Sequence, residues 1–279
     1  MDIDLSLLGK SAPLPPYRAV LAVDMEKFSR TSAHHQQIIG PMILKVLEEA
    51  FTRSDMLSVW KNARFPRHNG DGYVMGAEPE HLPFLIDPFL EELQRALEEV
   101  QPFLAAYDRN LRMRLRASID VGPLPDLGDG SGIDAMGEAM ISTHRLLDSD
   151  PVRSELEYTD PDTTLLATIV SRRVYEEVVL GGFTSIGRAR WKPVHASVPS
   201  KDFQAEGYLF VPTPSWGSPL EQPVKAPGEG GRSDVSGPVP ESPESPESPT
   251  VNQVGHNSGQ MFQAGTVHGG VDFGGRDER

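Results

Sequence analysis

The chain has 279 residues, a net charge of -14 and no cysteine, so a disulfide framework and a thiolate zinc site are both excluded. No run approaches the roughly 18 consecutive apolar residues of a membrane span, and the opening MDIDLSLLGK is acidic where a secretory signal is basic; the expectation is a cytoplasmic protein. Residues 1–211 carry 22 basic against 31 acidic side chains and residues 212–279 carry four against nine, which argues against the broad phosphate contacts of DNA or RNA binding.

After an N-terminal extension over residues 1–16, YRAVLAVD, residues 17–24, is a continuous apolar run ending in an acid, as in a strand buried on both faces. Ser32 is placed to cap a helix in which Ile39, Ile43, Val46, Leu47 and Ala50 recur at helical spacing. Asn69-Gly70-Asp71-Gly72 between two extended arms predicts a hairpin, and Phe84, Leu90, Leu93, Leu97 and Val100 predict a second helix interrupted at Pro102. LRMRLRASIDVG alternates as a half-buried strand, which assigns the arginines of LRMRLR to its solvated face.

LGDGSG, residues 127–132, lacks calcium-loop spacing and reads as a surface turn. A helix around EAMISTHRLLDS, a strand at TLLATIVS, a helix at VYEEVVL and a last strand over residues 202–211 complete the folded part. The order predicts an α+β fold, a ferredoxin-like sandwich with a βαββαβ core and additions. From residue 212 to 250 the chain is rich in proline, serine and glutamate, including PESPESPESP, and too poor in apolar groups to offset the entropy of ordering; it reads as a disordered linker.

Asp24 ends the first strand and Asp71 sits at the hairpin tip, so pairing of those strands brings both carboxylates to one sheet edge. Two such acids can hold paired divalent cations for phosphoryl or nucleotidyl transfer. The backbone N–H groups of Met25, Glu26, Lys27 and Phe28 are then candidates to receive a triphosphate. His34-His35 has no metal-ligand spacing, and no GxSxG elbow is present.

In VDMEKFS, HNGDGYVM and RASIDVGP, followed by the segment from Asp134 to Leu146, the chain resembles the class III nucleotidyl cyclases over roughly residues 17–211. The resemblance implies Mg2+ or Mn2+ on Asp24 and Asp71, base recognition by Arg67 and Asp134, Arg145 as the cation facing the α-phosphate, and a head-to-tail homodimer. The implied reaction converts a nucleoside triphosphate to a 3′,5′-cyclic nucleotide and pyrophosphate. Arg67 stands where lysine selects adenine, and its rigid donor fork suits a carbonyl-bearing base such as guanine or uracil. Ile141 stands where the family has a ribose-orienting asparagine, which leaves open a catalytically silent nucleotide-binding adaptor.

Residues 251–279 differ again. From Val251 to Val271 there is no charged residue, and Asn257 to Gly265 with His268-Gly-Gly-Val271 resembles the pseudo-palindromic amyloid-signalling motifs of bacterial immune-type proteins. That resemblance implies co-assembly with a protein bearing a matching motif, through amide ladders and a dry apolar layer.

Overall fold

The computed structural model describes residues 11, 13–125, 135 and 137–216. The chain divides into two compact units, Met1–Val224 and Lys225–Arg279, and all described residues lie in the first. Most of the linker and the whole tail motif therefore lie outside the described residues.

The molecule is an α+β fold built on one seven-stranded sheet in the order β2-β3-β1-β4-β5-β7-β6. Its centre is β1 (Tyr17–Met25), antiparallel to β3 (Gly72–Ala77) on one side and β4 (Leu115–Pro123) on the other. With β2 (Arg64–His68) antiparallel to β3, these four strands have the order and directions of a βαββαβ sandwich. The additions are β5 (Leu166–Ser171), parallel to β4, and the antiparallel hairpin β6 (Lys192–Val198) and β7 (Phe203–Phe210).

Side-chain alternation splits β1 between two cores. Ala19, Leu21, Val23 and Met25 join the larger cluster under α2 (Met42–Arg53) and α4 (Phe89–Tyr107). Val20 and Ala22 face the other way, onto Ala139 and Leu147 of α5 (Glu138–Asp148). Asp24 continues that second row, so the same alternation that buries the strand aims its terminal carboxylate toward the α5 side of the sheet.

Ser32 caps the first helix as expected, its Oγ accepting from the N–H of His35 at 3.2 Å. The expected single helix is two, α1 (Ala33–Ile39) and α2, separated at Gly40-Pro41 because proline has no N–H with which to continue the ladder. The break also positions the hairpin, since a Cβ on Gly40 would lie 3.2 Å from the carbonyl oxygen of Gly70. Gly70 itself sits at φ 89°, in the left-handed region a glycine enters freely, and the N–H of Asn69 bonds the carbonyl of Gly72 at 2.9 Å to close the turn. α3 (Leu57–Lys61) leads into β2.

Four expectations are corrected. Pro102 lies inside α4, which runs through it without interruption to Tyr107. β6 was absent from the expected strands; KPVHASV carries a proline, which a sheet tolerates at an edge, and only Ala196 and Val198 of its seven residues are buried; β6 is an edge strand. VYEEVVL winds as a π-helix over Tyr175–Leu180. The chain beyond β7 stays on the folded unit to Trp216, with Thr164 Oγ1 bonding the carbonyl of Thr213 at 2.7 Å and the N–H of Asp160 bonding Ser215 Oγ at 3.0 Å. Among the described residues no helix is long and apolar enough to cross a membrane.

Candidate functional site

The end of β1 is the organising point. Asp24 pairs in register with Gly72 of β3 and with Arg116 of β4, and the N–H of Met25 bonds the carbonyl of Asp71 at 2.8 Å. Asp24 and Asp71 therefore stand at neighbouring positions of adjacent chain segments. Directly opposite residues share a face, so Arg116 points to the α5 side beside Asp24.

The pair is closed. Arg116 Nε donates to Asp24 Oδ1 at 2.9 Å and Nη2 donates to Oδ2 at 2.5 Å, with side chains only 12% and 20% exposed. The assignment of the LRMRLR arginines to a solvated face is thus corrected for two of the three, since Arg112 alone is an exposed surface partner, of Asp162. β4 is buried on both faces, and its polar row of Arg116, Ser118 and Asp120 lies under a helix instead of in water.

A divalent cation needs open carboxylate lone pairs. Each Asp24 oxygen accepts one bond from Arg116, and among the described residues no three His, Asp or Glu side chains are grouped to hold a metal ion. In this arrangement the donor set does not fit Mg2+ or Mn2+.

Burial pushes the Asp24 carboxyl up to about 6, against the pull of Arg116, with the charge of Asp148 adding to the rise. Burial also raises Asp120. A carboxyl raised on folding holds its proton more tightly in the native state, so its contribution to stability is complete below the usual value near 3.8 and is lost as pH climbs through about 6. Asp24→Asn is expected to flatten the fall of Tm between pH 4 and pH 6; an unchanged slope in calorimetric scans contradicts a raised Asp24.

The loop after β1 is held by its own chain. The N–H groups of Met25 and Glu26 are spent on the carbonyls of Asp71 and Arg114, so two of the four amides expected to meet a triphosphate are already satisfied. The reason is that the ladder runs past the carboxylate: β3 and the approach to β4 keep bonding the chain through residue 26. Lys27 turns it with φ 56°, pairing its ammonium with Glu26 at 3.0 Å, and Phe28 packs its ring against the main core.

Under the loop lies Arg114, 6% exposed, bonded to Glu26 Oε2 at 2.8 Å, the carbonyls of Thr164 and Leu156 at 2.9 and 2.8 Å, and Thr159 Oγ1 at 2.9 Å. It ties the end of β1 to β5 and to the end of α6 (Asp150–Glu157).

Arg145, in the last turn of α5, donates to the carbonyl of Lys201 and lies 5.9 Å over the ring of Phe203. Three residues on, Asp148 holds Lys201 at 2.5 Å and Arg153 at 3.0 Å. Burial lowers His144 of the same helix, with the charges of Lys201 and the exposed Arg67 of β2 adding to the fall. Arg145 shares no contact with Asp24 in one chain, whereas Asp148 and Arg153 act on Asp24 directly. Ile141 is 48% exposed, and Asp134 lies outside the described residues.

At the mouth of this edge is a cleft of about 320 Å³, walled by Lys27, Arg30, Asp71, Arg116, Arg153 and Glu157 among others. No family model and no curated protein matches the chain. Solved structures it is similar to include nucleotidyl cyclases. The guanylate cyclase domain of RhGC from Catenaria anguillulae, in complex with GTP, is 14% identical with TM-score 0.44, covering 73% of this chain and all of that one. The adenylate/guanylate cyclase/hydrolase from Silicibacter pomeroyi is 17% identical with TM-score 0.46, covering 70% of this chain and 96% of that one. Adenylate cyclase from Trypanosoma brucei, in its monomeric state, is 14% identical with TM-score 0.49, covering 75% and 96%. What the site can do is decided by its own side chains.

Of the expected residues, the fold gathers Asp24, Asp71 and the loop 25–28 at one edge and sets Arg67 and Arg145 around α5. Arg114, Arg116, Asp148, Arg153 and Lys201 were missed as site residues. One signal was available for Arg116: in antiparallel pairing of the first strand with RASIDVG, a buried terminal Asp needs a cation opposite it, and Arg116 is placed to supply one.

Proposed function

We propose that the folded unit is a nucleotidyl cyclase-like signalling domain that binds a nucleoside triphosphate at the carboxyl end of β1. One observation carries the reading. In a chain of net charge -14, Lys27, Arg30, Arg116 and Arg153 line one cleft with Glu26, Asp71 and Glu157, and three of these cations are held in ion pairs, Lys27 with Glu26, Arg116 with Asp24 and Arg153 with Asp148. Glu26, the acid closest to the loop, is already committed to Arg114 and Lys27, so its charge is largely compensated. A polyanion entering this cleft would exchange these ion pairs for bonds to its own oxygens, as guanidinium groups favour.

In the reaction implied by the sequence resemblance, the ribose 3′-oxygen bonds to the α-phosphorus, the bond from that phosphorus to the bridging oxygen breaks, pyrophosphate leaves, and the hydroxyl proton passes to solvent. Arg145 serves the α-phosphate from the second copy of a homodimer, which accords with its bonding to the Lys201 carbonyl within one chain. Arg67 reads the base. The uncharged segment of the tail recruits the domain into homotypic assemblies of an immune-type pathway, with the linker as tether.

The test is a panel of ATP, GTP, CTP and UTP with the full chain and Mg2+ or Mn2+, reading cyclic product and pyrophosphate. A product is expected with guanine or uracil in preference to adenine. Binding without product on every base supports the silent adaptor; absence of triphosphate binding removes the reading altogether.

A further inference from the structure

The turn before β5 holds two other parts of the chain at once. In TDPDTTLL, residues 159–166, Asp160 folds the backbone over, its Oδ1 accepting from the N–H of Asp162 at 3.0 Å and its carbonyl from the N–H of Thr164 at 3.0 Å. Thr164 then serves both sides. Its carbonyl takes Arg114 Nε at 2.9 Å, and Arg114 carries the connection on to Glu26 Oε2 at 2.8 Å, in the loop after β1. Its hydroxyl holds the chain that leaves β7. Oγ1 gives its one proton to the carbonyl of Thr213 at 2.7 Å, so in the 2.7 Å bond between the Thr164 and Ser215 hydroxyls it is Ser215 that donates. Ser215 Oγ in turn accepts from the N–H of Asp160 at 3.0 Å, which closes the ring.

We propose, resting on the nucleotide reading only for what is regulated, that residues 212–216 are a strap whose seating on Thr164 sets how firmly Arg114 holds the loop after β1. The candidate site then answers to the chain that leaves the folded unit. Thr164 and Arg114 are both buried, and their bonds gain strength because water is kept from them. When the strap lifts, Thr164 Oγ1 and the Asp160 N–H lose their partners, and water reaching the turn competes for the Thr164 carbonyl as well. Arg114 is left with one fixed acceptor fewer. Glu26 loosens with it, because its carboxylate is paired to Arg114 and its N–H bonds the Arg114 carbonyl at 2.9 Å. The strap has a second hold of a different kind. Arg190 Nη2 donates to the carbonyls of Val211 and Pro212 at 3.1 and 2.9 Å, with its guanidinium 5.1 Å over the Phe210 ring, so it anchors the same segment from outside the turn. The coupling is reciprocal: a ligand that firms the loop also firms the strap.

The experiment is amide hydrogen exchange on the full chain in wild type, Ser215→Ala, Thr164→Val, Thr164→Ser and, as a control on the second hold, Arg190→Gln. Ser215→Ala and Thr164→Val are each expected to speed exchange of the Glu26 amide about fivefold, the low end of couplings between sites. The Met25 amide, bonded to the Asp71 carbonyl, should change little. Thr164→Ser keeps the hydroxyl and should match wild type, and Arg190→Gln should leave Glu26 alone. If Thr164→Val does not fold, Ser215→Ala, at a half-buried position, gives the same reading. Faster exchange confined to residues 156–164 and 211–216, with Glu26 unchanged in Ser215→Ala, overturns the coupling and leaves the strap a plain anchor. An equal effect of Arg190→Gln on Glu26 marks general loosening and overturns it too. Titration with a fluorescent triphosphate reads the consequence: binding several-fold weaker in Ser215→Ala is expected, and unchanged binding beside a faster Glu26 amide removes the regulation. If Glu26 responds and wild type binds no triphosphate, the nucleotide reading fails and the coupling stands.

Discussion

Replacing Arg114 by methionine is expected to lower the melting temperature of the folded unit by roughly 6–20 °C, the largest stability effect of any single substitution near the site. The guanidinium is 6% exposed and serves four acceptors on three elements: Glu26 at the end of β1, Leu156 and Thr159 at the end of α6, and Thr164 before β5. Methionine matches its length but none of its donors, so Glu26 keeps only its more exposed partner Lys27 and the carbonyls of Leu156 and Thr164 each lose a charged donor. Breaking a buried ion pair from one side costs about 3–5 kcal/mol, and about 2–4 °C accompanies each kcal/mol in a unit of this size. Lysine should recover little, because a single ammonium cannot span a carboxylate and two carbonyls on separate segments. Melts followed by circular dichroism decide it. A fall of under about 2 °C means the pair merely breaks even with its desolvation, as some buried pairs do.

The same arginine shows where the sequence could be read and where it could not. Strand order and direction were accessible because hydrophobic period is a local property: YRAVLAVD, the Asn-Gly-Asp-Gly hairpin and the helical rows each declare themselves within a dozen residues. The chain segments carrying Asp24 and Asp71 come to lie side by side because antiparallel pairing of neighbouring strands leaves little freedom once the turn is known. Which face of RASIDVG meets water is not local. Alternating Arg112, Arg114 and Arg116 looks like a wet face in isolation, and only the packing of α5 and α6 over the sheet converts two of these arginines into buried partners of acids about 90 residues earlier in the chain. Likewise the amides of Met25 and Glu26 look available until the ladder is seen to run past the carboxylate. The edge strand β6 escaped for the opposite reason, since its weak alternation reflects how little of it is buried.

Ile141→Asn is expected to raise cyclic-nucleotide production about 100-fold, the scale of a single lost positioning contact. Ile141 and Arg145 are one helical turn apart on α5 and so share a face, and that face is turned away from the row formed by Ala139, Thr143, Leu146 and Leu147 that holds α5 on the sheet. At 48% exposure the isoleucine supports little of the core, and asparagine costs an exposed helix only a few tenths of a kcal/mol. The substitution can therefore change chemistry without changing the fold. An amide at this position both donates to and accepts from a ribose hydroxyl, whereas the sec-butyl group does neither. The gain belongs in kcat, with triphosphate affinity nearly constant, because orientation of the attacking oxygen matters most in the transition state. Ile141→Leu, equally exposed and equally apolar, should give no gain. If Ile141→Asn binds triphosphate with an unchanged melt and still yields no more cyclic product and pyrophosphate than wild type, α5 is not the helix that orients the ribose, and the silent-adaptor reading becomes the better account of this domain.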